Sequence, residues 1–404
     1  MLAALEHQAT DRIPIDLGGH RSSGISAIAY HRLRRHLGLA KRPVRVYDLI
    51  QQLAVIDEDV LERFGVDTIE LGRSFAREDE HWKDWVLPDG TPCQVPAWTD
   101  PVKVDGGWRL HARDGRTMGE LLPGTLYFEQ TYHPFFERDD LDHLSEAMES
   151  AMWTAIKPPP GPLVDGSDGA QRLREGACRL RATSDRAILG LFGGNLLEMG
   201  QVLYGLERFF LLLAGEPERA HEFLDKLTEL HLANLERYLA AVGDQIDIVL
   251  FGDDLGSQRG PLISPAMYRE FFQPRQAAMW RRAHELSKAK VMLHCCGGVR
   301  ELLPGLIEAG LDAINPVQIA CRGMDPAGLK RDFGGQLVFW GGGCNTQSVL
   351  RQGTPAETRE HVRRLMDVWS PGGGYVFQQV HNVLADVPPE NIVAMLEGVR
   401  GEKS

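Results

Sequence analysis

The sequence predicts an α/β fold, specifically a (β/α)8 TIM barrel with an antiparallel β insertion after the second strand. Eight short apolar runs each end in polar or glycine-rich residues, and amphipathic segments such as residues 217–242 and 354–369 lie between them. Short apolar runs that alternate with helical patterns are typical of parallel strands in βα units, and eight such units close into a barrel. The predicted strands are 13–16, 67–71, 187–192, 246–251, 290–294, 312–315, 337–340 and 375–378.

The insertion is predicted for residues from 80 to about 133. This stretch contains the pairs Asp89-Gly90, Gly106-Gly107 and Asp114-Gly115, with aromatic and β-branched residues between them. Such pairs favour tight turns between antiparallel strands. An insertion here would cap the mouth of the barrel.

Composition excludes several classes of partner. A net charge of −12 argues against a broad nucleic-acid footprint. No run approaches the roughly 18 apolar residues of a membrane span, and the first residues lack a secretory signal pattern. We therefore expect a cytoplasmic protein without nucleic-acid or membrane partners. Six cysteines in 404 residues are too few for a disulfide scaffold, so thiols or metal ligands are expected.

A metal site is predicted where the segment "KVMLHCCGG" ends a strand. His294 and Cys296 are two residues apart, so on an extended chain both side chains project to one side and that of Cys295 to the other. Cys344, in the glycine-rich "FWGGGCNTQ", is the predicted third ligand. Imidazole and thiolate together select zinc, and three protein ligands with an open position are typical of a catalytic zinc. The alternative is that these cysteines are small core residues.

The remaining candidates lie just after predicted strands, where barrel enzymes carry their chemistry. Asp253 and Asp254 are predicted to orient substrate or handle a proton, the alternative being helix capping. His381 is predicted to be catalytic, although a metal ligand or a structural histidine fits the same position. The predicted substrate-binding residues are Arg21, Asn195, Gln258, Asn315, Gln318 and Gln347.

With these residues identified, the chain resembles the uroporphyrinogen decarboxylase-like superfamily, and within it the zinc-dependent methyltransferases that work with corrinoid proteins. The resemblance is strongest in "FGDDLGSQRGPLISPAMYREFFQPR" (251–275), "LHCCGGVRELLPGLIEAGLDAINPVQ" (293–318), "FWGGGCNTQSVLRQGTP" (339–355) and "VHNVLADVPPENIVAML" (380–396). It implies a single (β/α)8 domain over residues 1–404. The arginine-rich M-R-Q-A-G-R motif of the decarboxylases is missing, and "DLGGHRSSGIS" stands in its place. Arg21 alone is a weak counterpart for the eight carboxylates of a porphyrinogen, so decarboxylation of uroporphyrinogen is not expected.

The methyltransferase branch uses an H-x-C pair and a later cysteine as zinc ligands, which implies His294 and Cys296 for the pair. For the third ligand the resemblance leaves either Cys344 or His381, and we expect Cys344. The chain has no D-x-H-x-x-G cobalamin motif, so a corrinoid would come on a separate protein.

Three functions follow as hypotheses. The first is a zinc methyltransferase that moves a methyl group between a small methylated compound or a methyl-corrinoid protein and a zinc-activated nucleophile. The second is a metal-independent decarboxylase acting on a smaller acid. The third is a non-catalytic barrel. Methyl donor, acceptor, direction of transfer and oligomeric state are beyond what the sequence determines.

Overall fold

The computed structural model describes residues 1–112 and 114–401 and has a mixed α/β fold. Its strands, in chain order, are β1 (Val44–Asp48), β2 (Leu53–Ala54), β3 (Thr68–Glu70), β4 (Trp82–Val86), β5 (Pro92–Pro96), β6 (Val102–Val104), β7 (Gly107–His111), β8 (Thr117–Leu121), β9 (Glu129–Gln130), β10 (Ala187–Gly193), β11 (Ile248–Gly252), β12 (Gly256–Ser257), β13 (Gly260–Pro261), β14 (Lys290–His294), β15 (Ala313–Asn315), β16 (Val338–Trp340) and β17 (Tyr375–Val376).

Seven of these strands form one parallel sheet in the order β17-β16-β15-β14-β11-β10-β3. Ile15 forms a parallel bridge with Phe377 beside β17. The carbonyl oxygen of Ile15 accepts a hydrogen bond from the amide of Asp67, next to β3. The segment around Ile15 thus links the two edges of the sheet, an arrangement consistent with a TIM-like barrel. All eight predicted strands correspond to these seven strands and this bridging segment.

Side chains that alternate along the strands fill the interior of this sheet. One buried cluster contains Ala187, Leu189, Ile248, Leu250, Met292, Ala313, Val338, Trp340 and Val376, which occupy every second position of their strands. Because the period is two, the next inward positions are His294 on β14, Asn315 on β15 and Gln378 after β17. The apolar core therefore gives way to polar side chains at the carboxyl ends of the strands.

Within the described residues, the antiparallel strands form the short hairpin β12–β13 and two four-stranded sheets. One has the order β6-β7-β8-β9, and the other has the order β2-β1-β5-β4. The second sheet includes residues 44–54, which precede the barrel strand β3, and β1 pairs with β5 in parallel. The antiparallel region is therefore not confined to residues 80–133, because an earlier segment supplies two of its strands.

Helices surround the parallel sheet. They are α1 (Leu2–Leu5), α2 (Ala27–His36), α3 (Glu58–Arg63), α4 (Leu144–Ser150), α5 (Met152–Ala155), α6 (Gly169–Thr183), α7 (Leu197–Tyr204), α8 (Leu206–Gly215), α9 (Pro217–Val242), α10 (Pro265–Met267), α11 (Gln273–Leu286), α12 (Leu303–Glu308), α13 (Pro326–Phe333), α14 (Val349–Gln352), α15 (Pro355–Trp369) and α16 (Pro389–Arg400). Within the described residues, none of them is long and apolar enough to cross a membrane.

Helix α15 illustrates how the sequence fixes a boundary. The Thr354 side chain accepts a hydrogen bond from the amide of Glu357, and the Glu357 carboxylate accepts one from the amide of Thr354. This reciprocal capping box satisfies amides that the first turn leaves without helical partners. Thr354 is therefore the N-cap that sets the start of α15.

Candidate metal centre

Three potential metal ligands meet at the carboxyl ends of the barrel strands. One side-chain atom from each of His294, Cys296 and His381 lies within 4.8 Å of the others, and all three residues are partly buried. Nε2 of His294 is 3.5 Å from Sγ of Cys296. Tetrahedral zinc with bonds of about 2.0–2.3 Å places nitrogen and sulfur ligands roughly 3.5 Å apart. The histidine–cysteine pair thus has the spacing that a zinc site requires.

The tautomer of His294 is fixed by Asn315. Nδ2 of Asn315 donates to the carbonyl oxygen of Trp340 at 3.0 Å and to Oε1 of Gln378 at 2.6 Å. Because a backbone carbonyl only accepts, the remaining amide atom of Asn315 is the oxygen. This oxygen lies 2.9 Å from Nδ1 of His294, which therefore carries the proton. Nε2 is left with its lone pair directed toward Cys296, as metal binding needs.

A buried polar network supports Asn315 from behind. Nε2 of Gln378 donates to the carbonyl oxygen of Ser22, so Oε1 of Gln378 is the acceptor for both Asn315 and Nε2 of His20. The same His20 nitrogen lies 3.2 Å from Oδ2 of Asp16, which is completely buried. Although burial opposes it, the hydrogen bond from His20 lowers the pKa of Asp16. The orientation of His294 is thus held by a chain of hydrogen bonds that ends in a buried carboxylate.

His381 has a comparable arrangement. Its Nδ1 lies 2.9 Å from Oδ1 of Asn382, which also accepts a hydrogen bond from the hydroxyl of Tyr127. Nδ2 of Asn382 donates to Gln51. With Nδ1 bonded to Asn382, Nε2 of His381 is the nitrogen left for a metal.

The ligand side chains are poised in neutral forms. Burial lowers the pKa of His294, and burial together with the charge of His294 lowers the pKa of His381 to about 4. Burial and the nearby Asp254 raise the pKa of the Cys296 thiol well above its ordinary value. Both imidazoles are therefore ready to donate a lone pair, whereas the thiol would release a proton on binding a metal.

The loop after His294 depends on a glycine at position 297. Gly297 has a φ of +90°, and a Cβ added there would lie 2.2 Å from the carbonyl carbon of Gly256 in the β12–β13 hairpin. This close approach holds the loop that carries Cys296 against the hairpin. As predicted, Cys295 points away from the ligands: it is buried, and its sulfur accepts a hydrogen bond from the amide of Leu255.

The prediction that Cys344 is the third ligand is not supported by this geometry. Among the described residues, only one group of three ligand atoms meets the 4.8 Å spacing, and it contains His381 instead of Cys344. Gly341 and Gly342 have φ of +116° and +65°. The chain therefore turns after Trp340, and the inward alternation of β16 does not continue to residue 344. Cys344 is completely buried in the hydrophobic core, where burial raises the pKa of its thiol.

The two predicted catalytic aspartates have different environments. Asp253 is completely buried, and its carboxylate accepts hydrogen bonds from the amides of Leu197 and Glu198 at the start of α7 and from the side chain of Gln276. Burial raises the pKa of Asp253 to about 7. Asp254 instead faces the ligands: its Oδ1 accepts from the amide of Cys296 at 2.7 Å and lies 3.8 Å from Nε2 of His294. Asp253 thus binds the start of α7 and not the helix that follows it in sequence, whose cap is Ser264. Asp254 is the carboxylate at the centre.

Glu198 is a site residue that the sequence analysis missed. Burial, followed by the charges of Asp254 and Asp253, raises its pKa well above the ordinary value. Nδ2 of Asn195, a predicted substrate-binding residue, donates to its Oε2 at 2.5 Å. An acidic residue in the first turn after a barrel strand was the signal available. The structure thus places beside Asp254 a buried carboxyl group whose raised pKa favours the protonated form.

The other predicted substrate-binding residues differ in how they relate to the ligands. Oε1 of Gln318 accepts a hydrogen bond from the amide of Gly297 at 2.9 Å, next to Cys296. The Oε1 atoms of Gln258 and Gln318 each lie 3.5 Å from Sγ of Cys321. Gln347 is exposed. Asn315 cannot serve substrate, because its carbonyl oxygen and both of its amide hydrogens are already used within the buried network.

Arg21 sits at the edge of the centre. It forms an ion pair with Asp48, with Nε 2.7 Å from the carboxylate, and its guanidinium lies over the ring of Trp153. Its charge contributes to the lowered pKa of His294. Of the six predicted substrate-binding residues, Asn315 contacts the ligand His294 and Gln318 bonds to the amide next to Cys296. Arg21 and Asn195 lie near the ligands and carboxylates of the centre.

Comparison of the sequence with curated proteins finds similarity to uroporphyrinogen decarboxylases. The chain is 27% identical over 187 residues to a uroporphyrinogen decarboxylase of Psychromonas ingrahamii, covering 46% of this chain and 49% of the relative. It is 30% identical over 205 residues to that of Saccharopolyspora erythraea, covering 49% and 53%. The chain therefore spans about half the length of the curated relatives it matches.

A solved structure extends the likeness to the whole fold. The methyltransferase from Methanosarcina mazei superposes with a TM-score of 0.59, covering 99% of this chain and 97% of the other at 16% identity. At this identity the match shows a shared fold. The model of the family described as uroporphyrinogen decarboxylase (URO-D) matches residues 171–401, which is more than half of the chain and includes all three potential ligands. On this evidence the chain belongs to the uroporphyrinogen decarboxylase family.

Proposed function

We propose that this protein is a zinc-dependent methyltransferase in which His294, Cys296 and His381 hold the metal. The observation that carries the proposal is the convergence of two imidazoles and one thiol, with the Nε2–Sγ distance of 3.5 Å that zinc ligands adopt. Nitrogen and sulfur donors favour zinc over magnesium or calcium. Zinc at such a site lowers the pKa of a bound thiol or hydroxyl and so yields a nucleophile at neutral pH.

The protein's own groups supply orientation and proton transfer. Asn315 keeps Nε2 of His294 free of a proton, and Asn382 leaves Nε2 of His381 available. Asp254 lies beside the ligand atoms, and the raised pKa of the neighbouring Glu198 favours its protonated form. We assign to this pair the proton that a thiol or hydroxyl substrate loses when it becomes a nucleophile. Asp253 positions the start of α7 and therefore Glu198.

The methyl group would come from a small methylated compound or from a corrinoid carried by a separate protein. The fold shared with the Methanosarcina mazei methyltransferase supports this branch of the family. No cobalamin motif is present in the sequence, so the corrinoid protein is a partner in this proposal. Substrate and partner would both approach the ligands from the carboxyl ends of the strands.

Metal analysis tests the site first. Protein purified without chelator should contain about one zinc per chain by inductively coupled plasma mass spectrometry. His294→Ala, Cys296→Ser and His381→Ala should lose the metal, whereas the control Cys344→Ser should retain it because Cys344 lies in the core. Metal-free wild-type protein would refute the proposal, and zinc loss in Cys344→Ser alone would restore the ligand set expected from the sequence.

A methyl-transfer assay then tests the chemistry. Methylcobalamin serves as the methyl donor and a small thiol as the acceptor, and demethylation is followed by the absorbance of the corrinoid. Zinc-loaded protein should transfer the methyl group, and removal of zinc by a chelator should abolish transfer. Methyl transfer that survives chelation would refute the role of zinc. Absence of methyl transfer by zinc-loaded protein would leave the decarboxylase chemistry for which the sequence relatives are named.

A further inference from the structure

A second concave site lies apart from the potential ligands. It is a cavity of about 600 Å³ between β1, the end of β3 and the turn that follows β3. None of His294, Cys296 or His381 lines it. A cavity of this size holds a small organic molecule.

The inner wall of this cavity carries polar groups without partners. Tyr47 and Glu70 both line it and are only 7% and 6% exposed. The Tyr47 hydroxyl has no hydrogen-bond partner, and within the described part of the chain the Glu70 carboxyl makes neither a hydrogen bond nor an ion pair. Buried polar groups in proteins are normally hydrogen-bonded, because leaving one unpaired is costly. The inner wall thus contains two buried polar groups that the described residues leave without a hydrogen-bond partner.

The charged groups of the inner wall determine whether an anionic or a cationic ligand is favoured. The Arg73 guanidinium also lines the cavity, with Nη1 donating to the carbonyl oxygen of Ile56, and its charge acts on Glu70. Burial nonetheless raises the pKa of Glu70 to about 7, so that near neutral pH this carboxyl is protonated in part and is a hydrogen-bond donor. A hydroxyl, a guanidinium and a protonated carboxyl together suit an anion that accepts hydrogen bonds.

The outer wall is aromatic and basic. The rings of Trp82 and Phe75 line it, and the guanidinium of Arg45 lies 5.1 Å from the centre of the Trp82 ring. Arg45 is paired with Asp79. Arg77, also in the lining, is exposed, and within residues 1–112 and 114–401 its guanidinium makes no ion pair. Aromatic faces beside guanidinium groups favour a flat, apolar body that carries a negative charge.

We propose that this cavity binds a small aromatic carboxylate, with its carboxylate at Tyr47, Glu70 and Arg73 and its ring against Trp82 and Phe75. A monoanion fits the inner wall better than a phosphate dianion, because the latter would meet the ionised fraction of Glu70 at short range. The proposal does not depend on the metal centre, since the two sites share no ligand residue.

Calorimetric titration of the full chain with benzoate tests it. Benzoate should bind, whereas benzyl alcohol, benzylamine and inorganic phosphate should bind at least tenfold more weakly. Tyr47→Phe should weaken benzoate binding tenfold or more, because it removes only the hydroxyl that donates to the carboxylate. The matched control is Tyr375→Phe, whose buried hydroxyl also lacks a partner but lies outside the cavity. Zinc content, measured in parallel, should not change in either variant.

Two further measurements distinguish a loss of ligand binding from a loss of folding. Tyr47→Phe replaces an unpartnered hydroxyl by hydrogen, so its circular dichroism and unfolding curve should match the wild type. Arg77→Ala changes an exposed side chain and should weaken benzoate binding several-fold while reducing its dependence on salt. Absence of benzoate binding, equal binding of benzylamine, or benzoate affinity that is unchanged in Tyr47→Phe would each overturn the assignment.

Discussion

The burial of Glu70 makes the stability of this protein depend on pH in a way that one substitution should remove. The pKa of Glu70 is raised from 4.5 to about 7, with burial the largest cause. The folded state therefore holds the proton more tightly than the unfolded state, and stability contributed by this group is lost as pH rises from about 4.5 to 7. At 1.36 kcal/mol per pKa unit, the loss amounts to about 3 kcal/mol.

Glu70→Gln cannot ionise and should escape this loss. Relative to wild type, its free energy of unfolding should rise by about 3 kcal/mol between acidic and mildly alkaline solution. Urea unfolding of both proteins across this range, followed by circular dichroism, measures the difference, and changes common to both proteins cancel. The same substitution at the exposed Glu137 is the control and should leave the curve unchanged. A Glu70→Gln curve parallel to wild type at every pH would refute the assigned burial of this charge.

Further variants test the supports of the metal centre. Asn315→Ala should weaken zinc binding 10- to 100-fold, about 1.4–2.7 kcal/mol, because His294 loses the partner that fixes its tautomer. Competition against a zinc-binding dye measures this affinity. The control is Asn391→Ala, at a buried asparagine that bonds to backbone carbonyls elsewhere, and it should bind zinc as the wild type does. An equal loss of zinc affinity in both variants would indicate a folding defect. Asp253→Ala should lower the free energy of unfolding by about 3 kcal/mol, since the first amides of α7 lose their acceptor; a loss below about 1 kcal/mol would contradict this role. Gly297→Ala should abolish zinc binding through the clash with Gly256, whereas Gly372→Ala, at positive φ in open space, should retain it.

The sequence predicted the framework of the site because alternation along strands is a strong geometric rule. His294 and Asn315 were expected at strand ends, and both lie at the inward positions that the buried cluster defines. The two-residue spacing of His294 and Cys296 likewise brought their ligand atoms together. Patterns of period two are reliable while the chain stays extended.

Prediction failed where the chain leaves that regular geometry. Cys344 follows three glycines, two of them at positive φ, and the direction of a side chain after such a turn cannot be counted from the strand. The roles of Asp253 and Asn315 depend on partners more than 20 residues away in sequence, namely the start of α7 and Trp340. Glu198 becomes a candidate site residue only because folding buries it beside Asp254.

The buried network behind His294 joins residues from the two extremes of the described chain. His20 and Gln378 are separated by 358 positions, and Asp16 receives a hydrogen bond from Trp340, 324 positions later. During synthesis on the ribosome, Asp16 and His20 therefore cannot form these hydrogen bonds until the last barrel strand has emerged. His381 emerges later still. A nascent or prematurely ended chain lacks the imidazole of His381. It also lacks the complete hydrogen-bond network that orients His294. If the site holds zinc as proposed, its acquisition should consequently be a late event in biosynthesis, and incomplete chains should compete poorly with finished molecules for the cell's zinc.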